Sequence, residues 1–197
     1  FYLNSMFPSI NIPNSVKSIG EKAFYGCSGL KAVNLPNNIT SISNGIFALC
    51  YALSSITIPE SVTSIGYGVF KYSGLTSIFI PKSVYRIGDY IFRECSKLEA
   101  INVSDENQAY MSKDGVLFTH DITRLIVCLQ VKKGRYSIPY GVEKIGEYVF
   151  SCCSQLSYIS FPSSVTFIDQ SAFFCCSGLS SVIIPPTVKK LNYGTFN

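Results

Sequence analysis

A phrase of about 23 residues recurs along the chain, and this period restricts the possible folds more than any other feature of the sequence. The phrase reads IPNSVKSIGEKAFYGCSGL from Ile12 and returns as IPKSVYRIGDYIFRECSKL from Ile80. Its seven copies are marked by Pro13, Pro36, Pro59, Pro81, Pro139, Pro162 and Pro185. A fixed period of about 20–29 residues is typical of a solenoid, in which each repeat forms one coil that buries its apolar side against the next.

Each repeat predicts two short strands followed by a tight turn. In the third copy the first strand ends as Ile56-Thr-Ile58, an alternation that sends successive side chains to opposite faces. The second strand is Val62-x-x-Ile65, and Gly66 follows it, where we expect a bend with positive φ. A short turn then places a large ring between the two strands, at Phe24, Phe47, Phe70, Phe92, Phe150, Phe173 and Phe196.

The pattern L-x-x-I-x-I-P-x-x-V-x-x-I-G-x-x-A-F-x-x-C resembles the BspA-type leucine-rich repeats over almost the whole chain. We therefore expect a β-rich solenoid, a right-handed leucine-rich-repeat coil with a parallel sheet on one face and short helical or 3₁₀ turns. Residues 1–197 are predicted to form a single solenoid. Because Phe1 lies one period before Phe24 and the last copy is incomplete, we expect the chain to belong to a longer array or to an array whose capping turns are missing.

One interval breaks the period, since Pro81 and Pro139 are 58 residues apart. The extra segment, about residues 104–136, contains turn signals at Lys113-Asp-Gly115 and His120-Asp121. It predicts a β-meander with strands at 109–112, 116–119 and 124–129. We expect the meander to project from one edge of the solenoid or to replace the convex part of one coil. It would serve either as a binding protrusion or as a structural spacer.

Composition and motifs exclude several classes of function. The net charge of +4 is too small and too scattered for a nucleic-acid interface, and no apolar run has the roughly 18–20 residues needed to insert into a membrane. No phosphate-binding loop and no repeating carboxylate pair is present. His120 with Asp121 and Cys128 is a weak catalytic candidate, and 105–107 is a weak calcium candidate. We predict no enzymatic activity, no cofactor and no resident metal.

The eight cysteines follow the repeat. One column, meaning one position of successive repeats, holds Cys27, Cys50, Cys95, Cys153 and Cys176, while Cys152 and Cys175 form a second column and Cys128 lies in the insert. Three interpretations are open. The thiols can be small buried side chains. Pairs such as Cys27–Cys50 or Cys152–Cys175 can form disulfides between coils. The two Cys-Cys pairs can together bind zinc, although they lack the usual C-x₂-C spacing.

The outward positions of the first strand are the candidate binding surface. They are mostly small and neutral, which lets a partner lie close to the sheet, and a few larger side chains offer anchors. We define the candidate stripe as Asn34, Thr57, Phe79, Asn102, Tyr158, Ser160 and Ile183. The alternative is that small residues are simply what a curved parallel sheet tolerates. Asn102 also begins the glycosylation sequon Asn-Val-Ser, and a glycan there would argue against the stripe.

The resemblance implies a surface protein that adheres to other proteins. Members of the family bind host matrix proteins such as fibronectin or fibrinogen, and they are displayed outside the cell. We therefore expect a non-enzymatic, extracellular or cell-surface module with a protein ligand. The alternatives are an architectural spacer and an intracellular interaction scaffold. The sequence predicts neither the identity of the ligand nor the oligomeric state.

Overall fold

The computed structural model describes residues 3–197, which form fourteen short strands joined by turns. The described part of the chain has no α-helix and no 3₁₀-helix, so the expected helical turns are single hydrogen-bonded turns. Within it no helix has the length and apolarity needed to cross a bilayer. The internal contacts divide the chain into two compact units, Phe1–Ala109 and Tyr110–Asn197. A single solenoid over 1–197 stays a prediction, and the units are described one at a time.

The first unit stacks two sets of parallel strands. Its strands are β1 (Ser9–Asn11), β2 (Ala32–Asn34), β3 (Ser41–Ile42), β4 (Ser64–Ile65), β5 (Ser77–Ile80), β6 (Arg86–Ile87) and β7 (Ala100–Val103). The first strands of the coils pair as β1–β2 and β5–β7, and the second strands pair as β3–β4–β6. Equivalent residues face each other, as Ile42, Ile65 and Ile87 do. The third coil has no strand at 53–58, so the first-strand ladder is interrupted there.

The second unit contains the predicted meander and the last coils. Its strands are β8 (Tyr110–Lys113), β9 (Val116–Thr119), β10 (Arg124–Cys128), β11 (Gly134–Ser137), β12 (Lys144–Ile145), β13 (Leu156–Ser160) and β14 (Phe167–Ile168). Strands β8, β9 and β10 are antiparallel, as predicted, and β10 pairs in parallel with β12. The meander therefore extends the second-strand ladder, and β10 takes the place of a coil's second strand.

The phenylalanine column forms the centre of each unit. Phe24, Phe47 and Phe70 are stacked with ring centroids 5.6 and 6.0 Å apart and planes within 8° of parallel. Phe92 continues this stack at 5.8 Å from Phe70. In the second unit Phe173 lies 5.1 Å from Phe150. Successive coils therefore share one interior within each unit, and the predicted leucine-rich-repeat solenoid is confirmed.

The sharp bends of each coil lie on either side of its column phenylalanine. The predicted position of the bend, at the glycine after the second strand, was wrong. Gly66 does not have a positive φ, and neither do Gly20, Gly88 and Gly146. Left-handed residues occur two positions before the ring, at Lys22, Gly45, Gly68, Tyr90, Tyr148, Ser171 and Gly194. They occur again two positions after it, at Gly26, Leu49, Tyr72, Glu94, Cys152 and Cys175. The later position is the third residue of a turn such as Phe24–Cys27, where a type II turn requires positive φ.

Glycine follows the second strand for a different reason, which is the close approach of the neighbouring coil. A Cβ atom on Gly88 would lie 2.6 Å from the backbone nitrogen of Tyr67. A Cβ on Gly66 would lie 2.8 Å from the backbone nitrogen of Asn44, whereas a Cβ on Gly20 would meet nothing within 4 Å. The glycine is thus required only where another backbone packs against it.

We predict that Gly88→Ala destabilises the first unit, because the added methyl forces the adjacent coil away. The free energy of unfolding should fall by about 1–3 kcal/mol, the usual cost of overpacking. Gly20→Ala is the matched control, and it should be neutral or stabilising by up to about 1 kcal/mol, since the change restricts the unfolded chain. Urea denaturation of the two variants measures the difference. Equal effects would contradict the packing argument.

Candidate functional site

Part of the candidate stripe lies on the first-strand surface of the first unit. Asn34 ends β2, directly opposite Asn11 of β1, and both side chains are exposed. Together with Thr57 they line a hollow of about 400 Å³. Asn14 lies on the same wall, and its carbonyl accepts a hydrogen bond from the Asn38 side chain at 2.6 Å. The hollow is therefore a shallow surface lined by amides, and a side-chain-to-backbone hydrogen bond holds its edge.

Phe79 and Asn102 form the next part of the stripe. They face each other across the parallel pair β5–β7. Phe79 is 50% exposed, although Ile78 and Ile80 on either side of it are buried. Alternation along β5 places the neighbouring isoleucines in the core and directs the Phe79 ring outward. This ring is a large apolar side chain that the packing of the coil does not require.

The remaining stripe residues belong to the second unit, on β13 and the coil after it. Tyr158 is partly buried because the Arg135 guanidinium lies 4.5 Å from its ring centre, a cation–π arrangement. Ser160 is also partly buried, and its hydroxyl lies 2.9 Å from that of Ser137. Ile183 is 76% exposed. Tyr158 and Ser160 are thus tied to β11, whereas Ile183 projects into solvent.

The candidate catalytic residues His120, Asp121 and Cys128 do not form a site together. The Asp121 carboxylate accepts hydrogen bonds from the Thr119 hydroxyl and from the backbone and hydroxyl of Thr123. These donors hold the pKa of Asp121 below its ordinary value, so the carboxylate shapes the turn and does not orient His120. Cys128 is buried. This arrangement gives no nucleophile with a base beside it.

The candidate calcium ligands at 105–107 have separate partners within the protein. Glu106 forms an ion pair with Lys82 at 2.7 Å. Asn107 is buried, and its amide donates to the carbonyls of Pro81 and Val84. Among residues 3–197 no group of three or more His, Cys, Asp or Glu side chains is arranged to hold a metal ion, and this includes the two Cys-Cys pairs.

Sequence comparison identifies the repeat. The profile of the BspA type leucine rich repeat region matches in six copies over residues 1–113 and 130–197. The chain belongs to the BspA-type leucine-rich repeat family. No protein with curated functional information matches its sequence significantly.

Several solved structures of bacterial proteins are similar to this chain. A leucine rich cell surface protein from Faecalibacterium prausnitzii is 27% identical over 95% of this chain and 63% of its own, with a TM-score of 0.81. A leucine-rich repeat protein from Eubacterium ventriosum is 28% identical, covers 94% and 56%, and has a TM-score of 0.81. The pneumococcal vaccine antigen PcpA is 25% identical, covers 94% and 58%, and has a TM-score of 0.79. The chain spans less than two thirds of each of these proteins.

The thiols of the cysteine column form hydrogen bonds between successive coils. The Cys50 thiol donates to the Phe24 carbonyl of the preceding coil at 3.1 Å, and Cys95 donates to Phe70 at 2.9 Å. Cys176 donates to Phe150 in the same way at 2.7 Å. All eight cysteines are present as thiols. The column thus satisfies backbone carbonyls beside the ring stack, in keeping with the interpretation as small buried side chains.

Burial changes the acidity of these thiols. Removal from water raises the pKa of Cys50 from about 9 to about 12 and that of Cys95 to about 11. Burial likewise raises the pKa of Cys176 to about 12. Because the thiolate is the reactive form, Cys50, Cys95 and Cys176 are protected from alkylation and oxidation at neutral pH.

We predict that the stability of the fold decreases as the pH rises from about 9 to about 12. In this window the unfolded chain loses thiol protons that the folded chain keeps, so the free energy of unfolding falls with pH. Each of Cys50 and Cys95 contributes a slope of up to about 1.4 kcal/mol per pH unit. Denaturation curves of Cys50→Ser should show a smaller slope than wild type. Cys175→Ser, which replaces an exposed thiol, is the matched control for the substitution, and Cys50→Ser should have the smaller slope of the two variants.

The candidate stripe predicted from the sequence omits some residues that the structure places on the same surface. The stripe residues are exposed or partly buried, as expected for outward positions, but they are divided between the two units. Asn11 and Asn14 were not included, although an asparagine at the end of β1 repeats the one at the end of β2. Arg135 was also missed, because its approach to Tyr158 depends on how the insert places β11.

Proposed function

We propose that this chain is a non-enzymatic adhesion module displayed on the cell surface, and that it binds a protein ligand through the part of the candidate stripe that lies in the first unit. The BspA-type fold is of the protein-interaction type, and similar structures include a cell surface protein and a vaccine antigen. These likenesses support a location outside the cell.

The observation that carries this proposal is the exposure of Phe79. Binding energy at protein interfaces is concentrated in a few large side chains, and aromatic anchors are prominent among them. Phe79 is 50% exposed on a strand whose neighbouring residues are buried, and Asn102 beside it offers an amide for hydrogen bonds. An exposed ring next to a polar side chain is the arrangement expected at the centre of an interface.

The surroundings of Phe79 favour a protein ligand. In the first unit most exposed side chains at the first-strand positions around Phe79 are small and uncharged, among them Ser55, Thr57 and Ser77. Such side chains allow a partner's backbone to approach the sheet closely, and the amide-lined hollow around Asn34 offers donors and acceptors. We propose host matrix proteins, for example fibronectin or fibrinogen, as the ligands to test first.

The test is binding of the purified chain to immobilised fibronectin and fibrinogen, with wild type compared with Phe79→Ala. Loss of the anchor should weaken binding about tenfold or more, which corresponds to about 1.4 kcal/mol. Tyr85→Ala is the matched control, because Tyr85 is 61% exposed but lies beside β6 in the second-strand set. Its binding should equal that of wild type.

Two results would contradict the proposal. Binding that Phe79→Ala and Tyr85→Ala leave equally strong would exclude the stripe of the first unit as the contact surface. Absence of binding to either matrix protein would remove them as ligands and would favour the architectural spacer. A thermal melt of each variant confirms that folding is unchanged.

A further inference from the structure

Two cysteines, Cys152 and Cys175, occupy the same position of successive coils but lie outside the buried thiol column. Each follows its ring by two residues, after Phe150 and Phe173, and each has a left-handed backbone, with φ of 56° and 54°. Cys152 is partly buried and Cys175 is exposed. The first unit has no cysteine at this position, where it carries Gly26, Leu49, Tyr72 and Glu94.

The distance between the two coils suits a disulfide. The Cys152 N–H donates to the carbonyl of Phe174, the residue before Cys175, at 2.8 Å. The rings of Phe150 and Phe173 are 5.1 Å apart and nearly parallel. Equivalent Cα atoms of coils stacked in this way are about 5 Å apart, inside the disulfide range of about 4.4–6.8 Å. Because the two residues have nearly the same φ, their Cβ atoms leave the chain in similar directions, and closing the bridge requires them to approach from the coil spacing to about 3.5–4.5 Å.

We propose that Cys152 and Cys175 are a redox pair that forms a disulfide between adjacent coils when the protein meets a small-molecule disulfide such as oxidised glutathione. The exposed Cys175 thiolate attacks one sulfur of the oxidant, which forms a mixed disulfide and releases one thiol. The Cys152 thiolate then attacks the Cys175 sulfur and expels the second thiol. The two protein thiols lose two protons and two electrons, and the oxidant is reduced to two thiols.

The other thiols are poor competitors for this reaction. Cys153 is buried and Cys176 is partly buried, and the Cys176 thiol donates to the Phe150 carbonyl. Within each Cys-Cys pair the second residue belongs to the column that faces the core, so its sulfur is directed away from the oxidant. The structure thus selects Cys152–Cys175 from the pairs that the sequence left open, and it disfavours the buried Cys27–Cys50.

The proposed disulfide gives this part of the molecule two states. It closes a loop of roughly 22–24 residues, and a cross-link of that length stabilises a fold mainly by restricting the unfolded chain. The disulfide forms in an oxidising environment and stays reduced in a reducing one. This inference does not depend on the candidate stripe or on the identity of its ligand.

The test is treatment of the folded, reduced chain with oxidised glutathione, followed by peptide mass mapping without reductant. We expect a cross-linked peptide pair containing Cys152 and Cys175, six of the eight cysteines still titrating as thiols in denaturant, and a melting temperature several degrees higher. Cys152→Ser should instead carry a glutathione adduct on Cys175. Cys95→Ser, which changes a column thiol, should still form the cross-link.

Three results would overturn the proposal. One is a glutathione adduct on Cys175 of the wild-type chain with no cross-link to Cys152. Another is a disulfide that joins either residue to a different cysteine. The last is retention of all eight thiols after the treatment.

Discussion

The stacking of phenylalanine rings is the interaction on which the rest of the structure depends. In the first unit the rings repeat every 5.6–6.0 Å, and in the second every 5.1 Å. These distances are slightly larger than the spacing of hydrogen-bonded strands, about 4.7–4.9 Å. One rise per coil is therefore compatible with both ring stacking and strand pairing. Each buried ring contributes about 1.5–3 kcal/mol of hydrophobic stabilisation. No coil can gain this alone, because the two faces of its ring are covered by the rings of the coils above and below.

The rings also determine where the chain must bend. A coil turns around each ring through two left-handed residues, and several of these, such as Tyr90 and Leu49, are not glycine. Each such residue costs roughly 1–2 kcal/mol, which burial of the ring offsets. The carbonyl of the ring residue accepts a backbone N–H from its own turn and a thiol from the following coil, as Phe24 does from Cys27 and Cys50. The cysteine column is thus a consequence of the turn.

The period, most of the strands and the inward columns could be predicted from the sequence because they repeat, although the expected first strand of the third coil is absent. The meander was predicted to within one residue at each end, since its turns carry Asp-Gly and His-Asp signals. The left-handed positions could not be predicted, because residues as different as Lys22 and Ser171 occupy them. The role of Gly88 depends on the backbone of another coil. For the same reason the sequence did not show that Arg135 lies over Tyr158, a contact that arises from the position of β11 in the stack.

Function in such a fold is left to positions that the ring stack does not constrain, and Phe70 and Phe79 in the same coil show the contrast. Phe70 is fully buried in the stack, whereas Phe79 is half exposed on β5. The most direct measurement of the central claim is the free energy of unfolding of Phe70→Ala compared with Phe79→Ala by chemical denaturation. If the rings hold the coils together, Phe70→Ala loses about 3–5 kcal/mol and Phe79→Ala loses little. Similar small losses in both variants would contradict the account.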